Sequence, residues 1–275
     1  MIRVPAKNRR IISQELKKYQ IHIQNLVTKG KSATEEDARI LINDILSDVL
    51  GYDKYNDLKT EYKDRNGRLD YVVKLSEGPN AKKKDRHDFV IEAKSTAVDL
   101  KEDHVNQTLS YCLNMSIEYF VLTNVKEWRL YKVFNTKTKN CAELIWDINL
   151  LNGTDIDSMT DEMYVFSKYA YIEGAWNEVS DFSKATDVGE IMAIICSEKF
   201  TKMICRQLRE IHDVKISEDK IIEVLSTEVF KDFSKTNKGL LKKLNTPSKP
   251  TAKTKESTQE VICQPEPSTE KDDAA

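Results

Sequence analysis

Two acids and a lysine stand out by type and spacing. Asp70 lies within Arg68-Leu69-Asp70-Tyr71-Val72-Val73, and Glu92 and Lys94 end the apolar run Phe89-Val90-Ile91-Glu92-Ala93-Lys94. Glu92 and Lys94, two residues apart, share one side of a strand. If the two runs pair as a hairpin across residues 76–87, Asp70 comes beside Glu92 near one end of a sheet. Carboxylates buried together at neutral pH repel unless they share a cation. A hard divalent ion, Mg2+ with Mn2+ as substitute, takes oxygen ligands and keeps several waters, so Asp70, Glu92 and the backbone carbonyl of Ala93 would hold it. Lys94 would then act on a metal-bound water or offset charge developing on a phosphate. The plainer alternative makes Asp70 and Glu92 strand-end charges with Lys94 as their salt-bridge partner.

Several elements must position these residues. Ile12, Leu16, Tyr19, Ile23, Leu26 and Val27 recur at helical spacing, which predicts a helix over 6–28 with a basic outer face. Thr34 followed by Glu35, Glu36 and Asp37 reads as an N-cap, starting a helix that Gly51 stops near Leu50. On that helix Glu35 falls about 40° from the centre of the apolar face and Glu36 about 140° from it. Glu35 is thus expected to point inward, unless it is only a first-turn acid favoured by the helix dipole. Strand patterns follow at 58–63 and 69–75, with Asn66-Gly67 as the turn, then at 89–93, 119–123, 128–134 and 142–148; a helix is expected from Asp103 to Ser116. After Asn152 the pattern is helical, at 159–171, 187–211 and 217–230. The last 30 residues hold four of the six prolines among Ser, Thr, Lys and Glu, a composition expected to stay disordered. The expected organisation is a basic helix over 1–31, a core over 32–152, a helical annex over 153–245 and a tail over 246–275, in an α/β or α+β fold.

The Asp70, Glu92, Lys94 arrangement resembles the motif of the PD-(D/E)xK nuclease superfamily. Glu35 matches the place where many members carry an extra metal ligand. Gln107 and Tyr111, four apart on one helix face, match the Gln-x-x-x-Tyr of nucleases in this group, although helix-to-sheet packing would also use them. Phe120-Val121-Leu122-Thr123-Asn124 and Glu127-Trp128-Arg129-Leu130-Tyr131 resemble the strand pair that follows in the N-terminal domain of type I restriction enzyme R subunits, and especially its small stand-alone forms. The similarity spans roughly Ile12 to Phe230. It implies a restriction-endonuclease-like mixed sheet flanked by helices, and an Mg2+-dependent deoxyribonuclease with Asp70, Glu92, Lys94, Gln107 and Tyr111 as catalytic residues. Asp70, Glu92, Ala93 and Glu35 would be the metal ligands, and 5′-phosphate ends the products. Two departures are visible. No proline precedes Asp70, and no Gly-x-x-x-x-Gly-Lys-Ser/Thr segment occurs, so no ATP site and no motor are expected.

Charge narrows the partners. The 275 residues carry a net charge of -2, but residues 1–31 hold eight Lys and Arg against Glu15 alone, a local +7 that leaves -9 elsewhere. Lys82, Lys83, Lys84 and Arg86 form a second basic cluster on the hairpin loop, expected beside the acids, able to grip phosphates there or simply to solvate a loop. No apolar run approaches the ~20 residues of a membrane span, and the opening Met1-Ile2-Arg3-Val4-Pro5 lacks a signal h-region, so a cytoplasmic protein without membrane contact is expected. Five cysteines without a Cys-x-x-Cys pair suit neither a disulfide framework nor a zinc cage, and the four histidines are too scattered for a ligand set. The expected partners are DNA, with RNA still open, restriction-complex subunits and a second copy of the chain. The competing function is a non-catalytic nucleic-acid-binding or assembly subunit of a restriction or defence complex.

Overall fold

The computed structural model describes residues 2–64, 67–81, 86–135, 140–152, 155–229 and 261–263. Helix α1 (Ala6–Thr28) covers the expected span and buries Ile12, Leu16, Ile23 and Leu26. A capping box opens α2 (Glu35–Asp44): the Asp37 N–H donates to Thr34 Oγ1 at 3.0 Å, and the Thr34 N–H donates back to Asp37 Oδ2 at 2.9 Å. A π-helical turn, Ile45–Val49, extends α2, and Gly51 at φ +79° ends it.

Six strands follow: β1 (Leu58–Asp64), β2 (Gly67–Val73), β3 (Phe89–Ala93), β4 (Tyr119–Thr123), β5 (Glu127–Asn135) and β6 (Asn140–Asn149). They lie side by side in chain order, every neighbouring pair antiparallel except β3 with β4. The parallel pair needs a crossover, which α3 (Glu102–Met115) supplies. Both β3 and β4 are buried along their whole length, as a central pair covered on both faces must be. A seventh strand, β7 (Val261–Cys263), adds antiparallel to β6. It comes from the segment expected to stay disordered, and Val-Ile-Cys is the apolar, β-branched run of that otherwise polar stretch. The rest of 246–275 lies outside the described residues, as does Asn66 of the expected turn.

The helices after β6 differ from the expected pattern in their breaks. The span expected as one helix over 159–171 is α4 (Ile156–Tyr164) and α5 (Lys168–Ile172), because Ser167 leaves helical geometry and its hydroxyl caps Ala170. A helix absent from the sequence reading, α6 (Ala175–Ala185), follows Gly174 at φ +82°. The span over 187–211 likewise splits at Ser197, into α7 (Val188–Ile195) and α8 (Glu198–His212). Ser217 then caps α9 (Glu218–Val224), its Oγ accepting the Lys220 N–H at 3.3 Å.

The chain divides into two compact units, one of Met1–Asp181 with β7 and one beginning at Phe182. The boundary falls inside α6 rather than after Asn152, because α4, α5 and the start of α6 carry large apolar side chains into the sheet's core. Phe89 of β3 meets Tyr171 at 5.0 Å and Trp176 at 4.6 Å between ring centroids, and Tyr119 of β4 meets Trp176 at 5.4 Å. In the second unit, Asp187 caps α7, and Thr201 of α8 is buried with its hydroxyl 3.3 Å from Glu218 at the start of α9.

Candidate active site

The β2–β3 register pairs Tyr71 with Ile91 and Val72 with Val90, so its continuation sets Asp70 across from Glu92. The two acids meet as the spacing predicts, and both are buried. Asp70 is held from two sides: Oδ2 accepts the Ala93 N–H at 2.9 Å, and Oδ1 accepts Nη1 of Arg39 at 2.8 Å. Glu92 Oε1 accepts Lys94 Nζ at 2.5 Å, whereas Glu92 Oε2 is buried without a hydrogen-bond partner. Burial and the neighbouring charge of Asp70 push the Glu92 carboxyl up to about 7, against the pull of Lys94. Burial works against the charge on Lys94, but Glu92 beside it prevails and raises its pKa.

Arg39, which the sequence reading did not single out, is the cation that Asp70 meets. It projects from the second turn of α2, with Nε and Nη2 on Glu36 Oε2 at 3.1 and 2.6 Å, and Nη1 reaching Asp70 and, at 3.5 Å, Glu35 Oε1. Tyr71 fastens this helix to the sheet, its hydroxyl donating to the Arg39 carbonyl at 2.7 Å, and Ser95 does so from the other side by donating to the Ala33 carbonyl at 2.7 Å. Glu35 is less exposed than Glu36, in the expected sense, but its side chain remains 43% exposed and faces Arg39. Among the described residues, no three His, Cys, Asp or Glu side chains converge as a metal-binding group. Asp70 and Glu92 therefore form an acidic pair, to which Glu35 is linked through Arg39 Nη1 and through its charge, felt at Glu92.

Helix α3 lies over the same end of the sheet. Burial raises the Cys112 thiol, and the charge of Glu92 adds to it. Burial lowers the His104 imidazole, and Lys94 contributes. Tyr111 is buried with its hydroxyl close against Gly67, and Gln107, one turn earlier, is exposed. Glu92 pairs with Leu122, and Leu122 with Arg129, placing Arg129 on the face of Glu92 at roughly 10 Å by strand spacing. There Lys101, Glu102, Asp103, Arg129 and Tyr131 line an open cavity of about 480 Å3.

Arg86 does not lie beside the acids as expected. The β2–β3 hairpin closes after Val73 and before Phe89, at the opposite end of the pair from Glu92 and Lys94. Arg86 accordingly lies away from the acids and donates to the Ser116 carbonyl at 2.8 Å and to Glu118 at 3.2 Å. Antiparallel pairing imposes this, since a hairpin loop and the free strand ends face opposite ways. Lys82, Lys83 and Lys84 lie outside the described residues. Trp128 and Tyr131 are buried core side chains.

A mixed sheet flanked by helices, with an Asp, a Glu and a Lys gathered at the ends of its β2–β3 pair, defines a restriction-endonuclease-like fold. Residues 34–148 match the family model described as Type I restriction enzyme R protein N terminus (HSDR_N), from the cap of α2 to the end of β6. The match supports a nuclease-type domain of this family over that stretch. No curated protein and no solved structure matches the chain. No helix among the described residues is long and apolar enough to cross a membrane.

Proposed function

We propose that the chain is a metal-dependent endonuclease that hydrolyses DNA phosphodiester bonds in restriction or defence. The observation that carries this reading is the Asp70–Glu92 pair: two carboxylates buried side by side, one of them with an oxygen, Glu92 Oε2, that no group among the described residues satisfies. A buried polar atom left unpaired costs about 1–3 kcal/mol, more when charged, and hard carboxylate oxygens suit Mg2+ or Mn2+. Asp70, Glu92 and the Ala93 carbonyl would hold the ion, with Glu35 as an accessory ligand. When bound, it would acidify water and offset charge on the phosphate. Lys94, 2.5 Å from Glu92 and kept protonated by it, brings a positive charge to the place where negative charge develops. Buried Tyr111 packs α3 against the start of β2, while exposed Gln107 on the same helix is free to meet the substrate. DNA and subunits of a restriction complex are the partners this reading implies, with a homodimer as one way to cut both strands.

A second reading is favoured by one observation. Arg39 and Lys94 already neutralise both acids within the fold, which a non-catalytic nucleic-acid-binding or assembly subunit could retain for stability alone. One experiment separates the two. The purified chain is incubated with plasmid, single-stranded DNA and RNA in Mg2+, Mn2+ or EDTA, beside Asp70→Asn and Lys94→Ala. The nuclease reading expects 5′-phosphate products with metal, none with EDTA, and a loss of at least about 100-fold in either variant, the scale at which removing a transition-state contact registers. Equal cleavage by wild type and both variants would refute the site. Retention of DNA that weakens steeply with salt, without turnover, would favour the binding subunit.

A further inference from the structure

Arg39 is poised to do more than balance charge. Its guanidinium is shared unequally: two nitrogens are committed to Glu36, at 2.6 and 3.1 Å, while a single hydrogen bond of 2.8 Å ties Nη1 to Asp70. The backbone beneath it is pinned by the Tyr71 hydroxyl, so the side chain moves against a fixed α2. Oδ1 of Asp70, the atom Arg39 holds, is also the oxygen not engaged by the Ala93 N–H. A cation approaching Asp70 therefore competes with Nη1 for Oδ1, the carboxylate oxygen that the Ala93 N–H does not engage.

We infer that Arg39 is a counterion latch on Asp70, which sets the affinity of the site for a divalent cation and releases to Glu36 when the cation binds. This rests on the divalent-cation reading of Asp70 and Glu92. Because Nε and Nη2 both stay on Glu36 Oε2, release breaks one hydrogen bond and leaves the guanidinium anchored beside the site. Glu36 and Asp70 thus pull on the same cation from opposite sides, and weakening either partner should shift metal binding in a defined direction. Without Arg39 the metal meets no competitor at Oδ1. Without the Glu36 charge, Arg39 keeps only Asp70 and the longer Glu35 contact, and holds Asp70 more firmly.

The test is calorimetric titration of the metal-free full chain with Mn2+, in wild type, Arg39→Gln, Glu36→Gln and Asp70→Asn. An ionic strength near 0.3 M suppresses charge effects acting beyond a Debye length of about 6 Å. The expected result is a dissociation constant about tenfold lower in Arg39→Gln, several-fold higher in Glu36→Gln, and no binding in Asp70→Asn. Arg39 is partly exposed, and Asp70 keeps the Ala93 N–H without it, so Arg39→Gln retains the fold, which circular dichroism on the same samples verifies. Binding in Arg39→Gln equal to or weaker than in wild type, while Asp70→Asn abolishes it, overturns the latch and leaves the metal site standing. Binding in none of the proteins, or undiminished binding in Asp70→Asn, overturns both.

Discussion

At the scale of single residues, Glu92 is the group whose chemistry the fold alters most usefully. Burial beside Asp70 raises its carboxyl from an ordinary 4.5 to about 7, with Lys94 opposing the shift. A raised carboxyl pKa means that the folded state holds a proton the unfolded chain has already released. Between pH 4.5 and 7 the native state therefore binds more protons, and stability falls as pH rises through that window and levels off above it. For the metal-free protein the loss should be of the order of 3 kcal/mol. Urea denaturation in EDTA at pH 5 and pH 8 measures it; Glu92→Gln should flatten the difference, and an equal slope in that variant would locate the effect elsewhere. Asp70, Glu92 and Lys94 are legible in the sequence because an apolar strand ending in an acid and a lysine two residues apart, after a run that carries another acid, announces a face and a chemistry. Arg39 is not, because helix periodicity cannot reveal a partner 31 positions away. The signal that existed was an arginine four residues after Glu35 and three after Glu36, in reach of both.

At the scale of elements, apolar runs locate β1 to β6 to within a few residues, since hydrophobic strand patterns and turn chemistry act locally. The helix breaks at Ser167 and Ser197 are hidden because apolar periodicity continues across them; at Ser167 the hydroxyl caps the new helix, whereas the Ser197 hydroxyl donates back to the Ile194 carbonyl at 2.6 Å. Arg86 lies away from the acids because the hairpin that sets Asp70 across from Glu92 closes at its other end, after Val73 and before Phe89. Where elements meet closely, the demands become strict. Gly67, first residue of β2, has φ +148°, and a Cβ there would lie 2.2 Å from the Tyr111 hydroxyl and 3.1 Å from its ring. Gly67→Ala should therefore push α3 from the start of the strand that carries Asp70, costing about 1–3 kcal/mol, as overpacking does. Thermal denaturation reads this, and Gly67→Ala with Tyr111→Phe should recover part of the loss by removing the nearest atom. No recovery would assign the cost to the backbone conformation alone.

At the scale of the whole molecule, the net charge of -2 is a sum of parts with separate duties. Arg9 on basic α1 bonds Asp161 on α4 at 2.6 Å, so some of the helix's charge is spent inside the fold, while the acids at Asp70 and Glu92 each hold a cation. The first unit extends well past the family-matched stretch, because the sheet's face at Phe89 and Tyr119 is apolar and needs a cover that residues 34–148 do not provide. Trp176 is that cover's largest piece. It is 1% exposed, packs on Phe89, Tyr119 and Tyr171, and donates its Nε1–H to the Val165 carbonyl at 2.6 Å. Trp176→Ala should cost about 3–5 kcal/mol, the range for emptying a large aromatic site. Trp176→Phe keeps much of the packing but leaves the Val165 carbonyl without its partner, for about 1–3 kcal/mol. Because Phe89 begins the five-residue strand that ends at Glu92 and Ala93, the loss should also appear at the site: Trp176→Ala should lose cleavage at a lower temperature than wild type, yet match it well below the transition. Unchanged urea midpoints in both variants would mean that the family-matched stretch covers its own sheet, and that α4 to α6 are an accessory rather than part of the core.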